Sequence, residues 1–241
     1  MSNTLYPQPI VISIDGPIGA GKSTVCLALE RMGYDIHTEG VDDQRWGNIL
    51  NKYYKNNSSS TPGGAPASQV RWAFTLQTAI LSDMADQRVD MLAQKTPVVI
   101  IERSPLSALT FVDMARESGT LDDNEYALYM RLHRQLAWAP DYVIALFVPP
   151  EEGARRVLQR ARPAEVTGDG ALRVSTKYLA RIDALYRRNI ARFKQQVGKS
   201  ISVREVVVMD GRIDPDILAM KIAEHIEVWN GRTTAPRYIS R

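Results

Sequence analysis

The sequence contains little cysteine or histidine, and it has no long hydrophobic run. Its 241 residues include one cysteine, Cys26, and three histidines that lie far apart along the chain. A disulfide framework and a cysteine-built zinc site are therefore excluded, and no two histidines have the spacing of a metal-binding pair on a helix. No stretch approaches the roughly 20 apolar residues that a membrane span requires. These absences exclude disulfide-stabilised secreted domains and membrane-spanning proteins.

The N-terminal segment and the charge balance narrow the class of protein further. Residues 1–9 have neither the basic region nor the apolar core of a secretory signal, and they contain no arginine. We therefore expect a cytoplasmic protein with no membrane partner. The net charge of +3 at pH 7 and the pI of about 9.0 suit an anionic small ligand without requiring a nucleic-acid groove. At this length we expect a single domain over residues 1–241, with a folded core over 10–230.

Short apolar runs alternate with longer helical patterns along the chain. Runs of mainly β-branched residues predict strands buried on both faces of a sheet, at 10–15, 34–38, 97–102, 142–148 and 203–209. Apolar residues at helical spacing predict helices at 24–32, 68–94, 121–138, 151–162, 175–196 and 216–229. Strands that alternate with helices indicate an α/β domain with a parallel sheet. The Gly- and Pro-rich stretch 56–68 is predicted to be a flexible insert.

The first predicted strand is followed by a phosphate-binding pattern. Residues 16–23 match G-x-x-x-x-G-K-[ST] between a strand and a helix, the context in which this pattern cradles phosphates. Backbone N–H groups of such a loop face phosphate oxygens, Lys22 reaches the β- and γ-phosphates, and the Ser23 hydroxyl can ligate Mg²⁺. We therefore predict a nucleoside triphosphate site. It is formed by Gly16, Pro17, Ile18, Gly19, Ala20, Gly21, Lys22, Ser23 and Thr24.

Two acidic residues stand at the ends of predicted strands. Glu39 follows the second strand, and Glu102 ends the third strand directly before Arg103. Ligands of open α/β sheets bind at the carboxyl ends of the strands. A carboxylate there can accept a proton from an attacking hydroxyl, and an adjacent arginine can neutralise phosphate charge. Either acid, taken alone, is equally well explained as a solvated residue with an ordinary ion-pair partner.

Several segments, taken in order, resemble the deoxynucleoside kinases. They are the phosphate loop, Thr38-Glu39-Gly40-Val41 with the later Trp46, Glu102-Arg103-Ser104, and Gln159-Arg160-Ala161-Arg162. The resemblance runs from residue 10 to about residue 217. It implies a P-loop kinase fold, which is a three-layer α/β/α domain with a five-stranded parallel sheet of order 2-3-1-4-5. It also implies transfer of the γ-phosphoryl group of ATP to the 5′-hydroxyl of a deoxynucleoside, with Mg²⁺.

The resemblance implies roles for the residues at the reacting end of the site. Glu39 would be the general base on the 5′-hydroxyl, and Arg103 would hold Glu39 and the reacting oxygen. Lys22 would bind the transferred phosphate. Glu102 would join Ser23 in organising the Mg²⁺ shell.

The resemblance also implies an arginine-bearing lid over residues 155–171. Arg160 and Arg162, predicted on one helix with Arg155 and Arg156, would neutralise charge on the transferring phosphoryl group. Asp210, after the last strand, would lie against the adenine of ATP.

On the acceptor side, the resemblance implies a base pocket along the long helix. The amide of Gln77 offers a donor and an acceptor for the edge of a pyrimidine. Ile80, Met84 and Ala108 would line the pocket, and the small Ala108 would leave room for the thymine methyl group. We therefore expect pyrimidine deoxynucleosides, thymidine and deoxycytidine, to be preferred over purines.

Four further positions complete the implied substrate contacts. Trp46 and Phe111 would stack on the base, with Val112 as an alternative to Phe111. Tyr54, with Tyr53 as a competitor, and Glu165 would contact the 3′-hydroxyl of the sugar.

Two other functions remain open, and the assembly is also a prediction. A nucleoside monophosphate kinase, most plausibly for thymidylate, needs additional cationic groups for the phosphate of its acceptor. A non-catalytic nucleotide-binding module would leave Glu39, Arg103 and the lid arginines unexplained. The resemblance implies a homodimer that forms through the helices predicted at 68–94 and 121–138.

Overall fold

Strands and helices alternate along the computed structural model, which describes residues 8–39, 47–55, 67–162, 176–199 and 202–231, with the backbone alone at 54, 55 and 67–71. The strands are β1 (Ile10–Asp15), β2 (Asp35–His37), β3 (Val98–Glu102), β4 (Tyr142–Phe147) and β5 (Glu205–Asp210). The helices are α1 (Lys22–Arg31), α2 (Gly47–Lys55), α3 (Ala67–Ala93), α4 (Pro105–Glu117), α5 (Asp123–Leu136), α6 (Pro150–Arg160), α7 (Thr176–Gln196) and α8 (Pro215–Gly231). Within the described ranges, no helix is both long and apolar enough to cross a bilayer.

The five strands form one parallel sheet in the order β2-β3-β1-β4-β5. This confirms the predicted fold class and strand order. The central strand β1 pairs with β3 on one side and β4 on the other, so that Ile12 lies between Ile100 and Tyr142. Because all strands run in the same direction, the segments that follow β1, β3 and β4 meet at one edge of the sheet. The phosphate loop and Arg103 lie at this edge.

Alternating residues of the strands build a core on each face of the sheet. On one face, Ile12 and Ile14 pack with buried residues of α1 and α8, among them Leu29 and Ile222. On the other face, side chains of β1 and β3 pack with Met91 of α3 and Trp138, and side chains of β4 pack with α7. Continuous apolar strands are therefore covered on both sides, which is the three-layer arrangement expected from their sequences.

The predicted elements are all present, with ends within two residues of the predicted ones, but two helices were not predicted. Helix α4 begins with Pro105 after the N-cap residue Ser104, whose side chain forms a capping box with Ser107. A Ser-Pro pair is a helix-start signal that the sequence did carry. Helix α2 has apolar residues at Ile49, Leu50 and Tyr53, but it is too short for its periodicity to stand out.

Two predicted boundaries were wrong. Arg162 does not lie on the helix that carries Arg155, Arg156 and Arg160, because α6 ends at Arg160 and Ala161 adopts a left-handed conformation with φ of 50°. Arg162 is followed in the sequence by Pro163, and a proline disfavours a helical conformation in the residue before it. The predicted insert 56–68 is also too long at its C-terminal end, since α3 already begins at Ala67.

Candidate active site

The phosphate loop is held against its neighbours by backbone-to-backbone contacts. A Cβ atom at Gly16 would lie 2.2 Å from the carbonyl oxygen of Leu146, at the end of β4. A Cβ atom at Gly19, whose φ is 81°, would lie 2.5 Å from the carbonyl oxygen of Gly153 in α6. Only glycine fits such close approaches, and only glycine adopts these backbone angles without strain. The loop from Gly16 to Gly21 therefore has one tightly defined path, which ends at the first residue of α1.

The ammonium group of Lys22 is buried within this loop. Its Nζ donates a hydrogen bond to the carbonyl oxygen of Pro17 over 3.0 Å, and the side chain is 5% exposed. Burial and, to a smaller extent, the positive charge of Arg103 lower the pKa of Lys22 to about 8, although Glu102 and Glu39 oppose the shift. A cation held in this way lacks a full counter-charge, so it is suited to meet an anionic ligand.

Ser23 and Glu102 place two oxygen donors side by side. The Ser23 hydroxyl donates to Glu102 Oε1 over 2.8 Å, although the two residues lie on α1 and β3. Hydroxyl and carboxylate oxygens are the ligands that Mg²⁺ takes when phosphates and water complete its shell. Among the described residues, no group of three or more His, Cys, Asp or Glu side chains is arranged to hold a metal ion. The Ser23–Glu102 pair therefore fits Mg²⁺ that is bound together with a nucleotide.

Arg103 and Glu39 form an ion pair at the edge of the sheet. The Arg103 Nε donates to Glu39 Oε2 over 2.8 Å, and Nη1 donates to the carbonyl oxygen of Gly16 over 3.1 Å and to the Tyr186 hydroxyl. Burial works to lower the pKa of Arg103, but the carboxylate of Glu39 more than compensates and the pKa is raised. The backbone of Arg103 has φ of 70°, an uncommon conformation for a residue with a side chain. It turns the chain sharply from β3 into α4.

A cavity joins this ion pair to the phosphate loop and to an apolar chamber. Its polar lining includes Lys22, Glu39, Glu102 and Arg103, together with Arg160 and Arg162, and most of its other lining residues are apolar. Among the residues that the structure describes, the lining consists of Ile18, Gly19, Lys22, Glu39, Leu50, Tyr53, Leu76, Gln77, Ile80, Met84, Glu102, Arg103, Ala108, Phe111, Arg160, Arg162 and Tyr178. Side chains from α2, α3, α4, α6 and α7 thus surround one space.

The one amide among the lining residues is that of Gln77, on α3. The residue is 6% exposed, yet its buried Oε1 accepts no hydrogen bond from any residue that the structure describes. An unpaired acceptor in such a place costs about 1–3 kcal/mol, so the residue is not explained by the stability of the free protein. Gln77 is therefore a buried residue of α3 and not one on the exposed face of the helix.

A second cavity opens on the other side of the phosphate loop. It is lined by the start of α1, including Ser23 and Thr24, by arginines of α6 and by the segment after β5. The predicted adenine contact Asp210 is not among the lining residues, whereas Gly211 and Arg212 are. Asp210 binds the Arg212 side chain and backbone N–H, and these hydrogen bonds lower the pKa of the Asp210 carboxyl to about 2.

The structure places the two members of each pair of alternative contact residues differently, as far as it describes them. Phe111 lines the cavity, and Val112, one position further along α4, is fully buried in the core between α3, α4 and α5. Tyr53 also lines the cavity. The side chain of Tyr54, and the residues Trp46 and Glu165, lie outside the described part of the structure.

Sequence reasoning missed one residue next to the ion pair. Tyr186, on α7, is fully buried and contacts Arg103, from which it is separated by 83 positions in the sequence. No local pattern marks it, because a tyrosine on the buried face of a helix is indistinguishable from a core residue. The cavity residues Leu50, Leu76 and Tyr178 were missed for the same reason.

Comparison with known protein families adds to this geometry. A model of the deoxynucleoside kinase family matches residues 12–227 of the chain. The chain belongs to the deoxynucleoside kinase family. The predicted family and enzyme class, a phosphotransferase, are thereby confirmed.

Individual relatives of this deoxynucleoside kinase differ in the substrates for which they are named. A fowlpox virus protein named "probable deoxycytidine kinase" is 31% identical over 161 residues, which is 65% of this chain and 63% of the relative, just under two thirds of its length. The deoxyadenosine kinase of Dictyostelium discoideum is 29% identical over 220 residues, or 90% of this chain and 79% of the relative. These relatives share the family with the chain, but they do not agree on a preferred base.

A solved structure is similar to this chain in fold. It is a deoxyadenosine kinase from M. mycoides with the products dCMP and dCDP bound, and it superposes with a TM-score of 0.70 at 21% identity. The match covers 91% of this chain and all of the other. At this level of identity the likeness supports the fold of the chain.

Proposed function

We propose that this deoxynucleoside kinase transfers the γ-phosphoryl group of ATP to the 5′-hydroxyl of a pyrimidine deoxynucleoside. One observation carries the proposal: a single cavity contains the phosphate-loop lysine, the Arg103–Glu39 pair and the buried, unpaired oxygen of Gln77. A phosphate donor, an acceptor hydroxyl and a base can therefore be bound in one continuous space. A module that only bound nucleotides would need none of the features at the acceptor end.

Glu39 is the proposed general base at the reacting end. Its carboxylate lines the cavity and would accept the proton of the 5′-hydroxyl as that oxygen attacks the γ-phosphorus. Arg103 holds the carboxylate through Nε and fixes the direction from which the hydroxyl must approach. The positive charge of Arg103 would also stabilise the oxygens on which negative charge collects during transfer.

Lys22, Arg160 and Arg162 are the proposed cations around the transferred phosphoryl group. All three line the same cavity, and they come from α1, from the end of α6 and from the residue two positions beyond it. Positive groups on several sides can neutralise the equatorial oxygens of the transferring group. Ser23 and Glu102 would hold Mg²⁺, which supplies further charge neutralisation at the β- and γ-phosphates when it is bound.

The apolar end of the cavity supports a preference for pyrimidines. The wall of Leu76, Ile80 and Met84 is apolar, and Ala108 adds only a methyl group. Gln77 can pair with N3 and the neighbouring exocyclic group of thymine or cytosine, because its amide donates as well as accepts.

Steady-state kinetics with four deoxynucleosides test the proposed function. An assay that couples ADP release to an absorbance change is expected to give the highest kcat/KM for thymidine and deoxycytidine. A clear preference for deoxyadenosine or deoxyguanosine would contradict the pyrimidine assignment. Activity with thymidine monophosphate alone would instead favour the monophosphate kinase.

Replacement of Gln77 by leucine tests the base contact. We expect Gln77→Leu to lower kcat/KM for thymidine by about 10²-fold or more, because the base edge would lose its buried hydrogen-bonding partner. The free energy of unfolding of the substrate-free protein is expected to rise by about 1 kcal/mol, because an unpaired buried acceptor is removed. Chemical denaturation measures the second effect.

The matched control for this variant is Gln87→Leu, on the same helix and outside the cavity lining. It is expected to leave kcat/KM unchanged. A loss of stability without a loss of kcat/KM in Gln77→Leu would show that the amide serves the fold and not the substrate.

We also propose that the chain forms a homodimer through α3 and α5. These helices pack against each other and leave exposed apolar side chains at Val89, Leu92, Leu128 and Leu136. Burial of such side chains against a second copy would be favourable. Light scattering at micromolar concentration distinguishes a monomer of 27.0 kDa from a dimer.

A further inference from the structure

Tyr186 lies outside the cavity, next to the residues at its reacting end. It lies in the middle of α7, is fully buried, and packs with Val143 and Phe147 of β4. It is not among the residues that line the cavity, but its hydroxyl accepts a hydrogen bond from Nη1 of Arg103. Tyr186 therefore contacts a side chain that would meet the substrate, without meeting the substrate itself.

The contact determines how the guanidinium of Arg103 is oriented. A guanidinium is planar, so the acceptors that hold one of its nitrogens also constrain the direction of the others. Nη1 is held by the Gly16 carbonyl oxygen and by Tyr186, and Nε then points at Glu39. The ring of Phe111 covers the group, with its centroid 4.8 Å from the guanidinium carbon. Loss of the tyrosine hydroxyl would leave Nη1 with one neutral acceptor.

The Tyr186 hydroxyl is suited to this role because it stays neutral. Burial raises the pKa of the Tyr186 phenol, although the positive charge of Arg103 works in the opposite direction. A neutral acceptor orients the guanidinium without neutralising it. The positive charge of Arg103 therefore stays available to interact with Glu39 and with the reacting oxygens.

Tyr186 also supports an unusual backbone position. Arg103 has a left-handed backbone, which is strained for a residue with a side chain and persists when the surrounding structure holds it. The backbone N–H of Arg103 donates to Ile14, and its side chain is anchored by Gly16, Glu39 and Tyr186. The side-chain anchors and the backbone turn thus support each other.

We propose that Tyr186 is a positioning residue that aligns the Arg103 guanidinium with Glu39 for phosphoryl transfer. This inference rests on the proposed function, in which Glu39 and Arg103 act on the 5′-hydroxyl. It differs from that function because it assigns a role to a residue outside the cavity. It also connects α7 to the reacting groups.

Tyr186→Phe tests the inference, because phenylalanine keeps the buried ring and removes the hydroxyl. We expect kcat for the best deoxynucleoside to fall by about 10-fold, with its KM changed by less than about threefold, since orientation of the reacting groups is lost but binding contacts are kept. The control is Tyr129→Phe, which removes the hydroxyl of another fully buried tyrosine, one without a hydrogen-bond partner in the described part of the chain. This control is expected to leave kcat unchanged.

A double variant separates positioning from a purely structural role. In a Glu39→Gln background, Tyr186→Phe is expected to lower kcat by less than about twofold, because there is no longer a base to align. A general weakening of the fold would lower kcat by the same factor in both backgrounds. An equal factor, or an unchanged kcat in Tyr186→Phe alone, would overturn the inference.

A spectroscopic measurement keeps this inference separate from the proposed function. The NMR signal of the Arg103 Nε–H group, assigned by its loss in Arg103→Lys, reports rotation of the guanidinium. We expect faster rotation in Tyr186→Phe than in the unsubstituted protein and in Tyr129→Phe. Equal rotation rates would overturn the inference even in an active enzyme. If the unsubstituted protein phosphorylated no deoxynucleoside, the proposed function would be wrong. The NMR measurement would still decide whether Tyr186 orients Arg103.

Discussion

Lys22→Met is expected to lower kcat/KM for ATP by about 10³-fold or more. The buried ammonium lines the cavity at the end of the phosphate loop, and methionine retains most of the length of the side chain without the charge. Loss of a positive group from a site shielded from water removes a large stabilisation of the transferring phosphoryl group. The coupled ADP-release assay measures the effect. Lys221→Met, at an exposed position of α8, is the matched control and should have normal activity.

The same variant is expected to be more stable than the unsubstituted protein when no nucleotide is bound. The pKa of Lys22 falls from 10.5 to about 8 on folding, so between these values the unfolded chain binds a proton that the folded chain does not. Stability therefore rises with pH through this window, and below it the protonated lysine destabilises the fold. We expect Lys22→Met to raise the free energy of unfolding by about 1–3 kcal/mol at pH 7.

Urea unfolding at pH 7 and at pH 10 measures this stability difference. The advantage of the methionine variant should shrink at the higher pH, where the lysine of the unfolded chain begins to lose its proton. A variant that is both inactive and less stable at pH 7 would show that Lys22 supports the loop structurally. Unchanged turnover of ATP would overturn the interpretation of the phosphate loop.

Glu39→Gln is expected to lower kcat by about 10²-fold or more. Glutamine is nearly isosteric and keeps an oxygen that can accept from Arg103 Nε, but it cannot take the proton of the 5′-hydroxyl. The KM for the deoxynucleoside should change little, because the loss falls on the transition state rather than on binding. Initial rates at saturating ATP and varied deoxynucleoside separate the two constants.

Glu30→Gln, at an exposed position of α1, provides the control for the loss of one carboxylate. Thermal unfolding of both variants verifies that they fold, which matters because Glu39 is the ion-pair partner of a buried arginine. A Glu39→Gln enzyme with normal kcat would remove Glu39 from the proposed mechanism.

Much of the fold could be predicted because its signals are local in the sequence. Each buried strand is a continuous apolar run, and the phosphate loop is one unbroken segment whose glycines and lysine carry its chemistry. The boundary of α6 was wrong by two residues because a regular pattern of arginines continues past Ala161, where the backbone leaves the helix. The periodicity of side chains in a sequence contains no information about a change of φ at one residue, such as Ala161.

The candidate site could be predicted only in part, because burial and pairing depend on distant segments. The sequence places Gln77 on a helix, but its burial and its unpaired oxygen arise from packing against the other walls of the cavity. The choice between Phe111 and Val112 depends on the phase of α4, a helix that was not predicted. Tyr186 meets Arg103 only because α7 packs on α4 and on the sheet.

The contact between Gly19 and Gly153 limits how α6 can move relative to the phosphate loop. The two backbones already touch, so the first turn of α6 cannot move closer to the phosphate loop. Arg160 lies at the far end of the same helix, about 10 Å from Gly153 at the usual rise per residue. A tilt of α6 that changed the distance from Arg160 to the phosphate loop would therefore have to pivot near Gly153. Arg160 would then move relative to the phosphates, while the phosphate loop kept its position against Gly153.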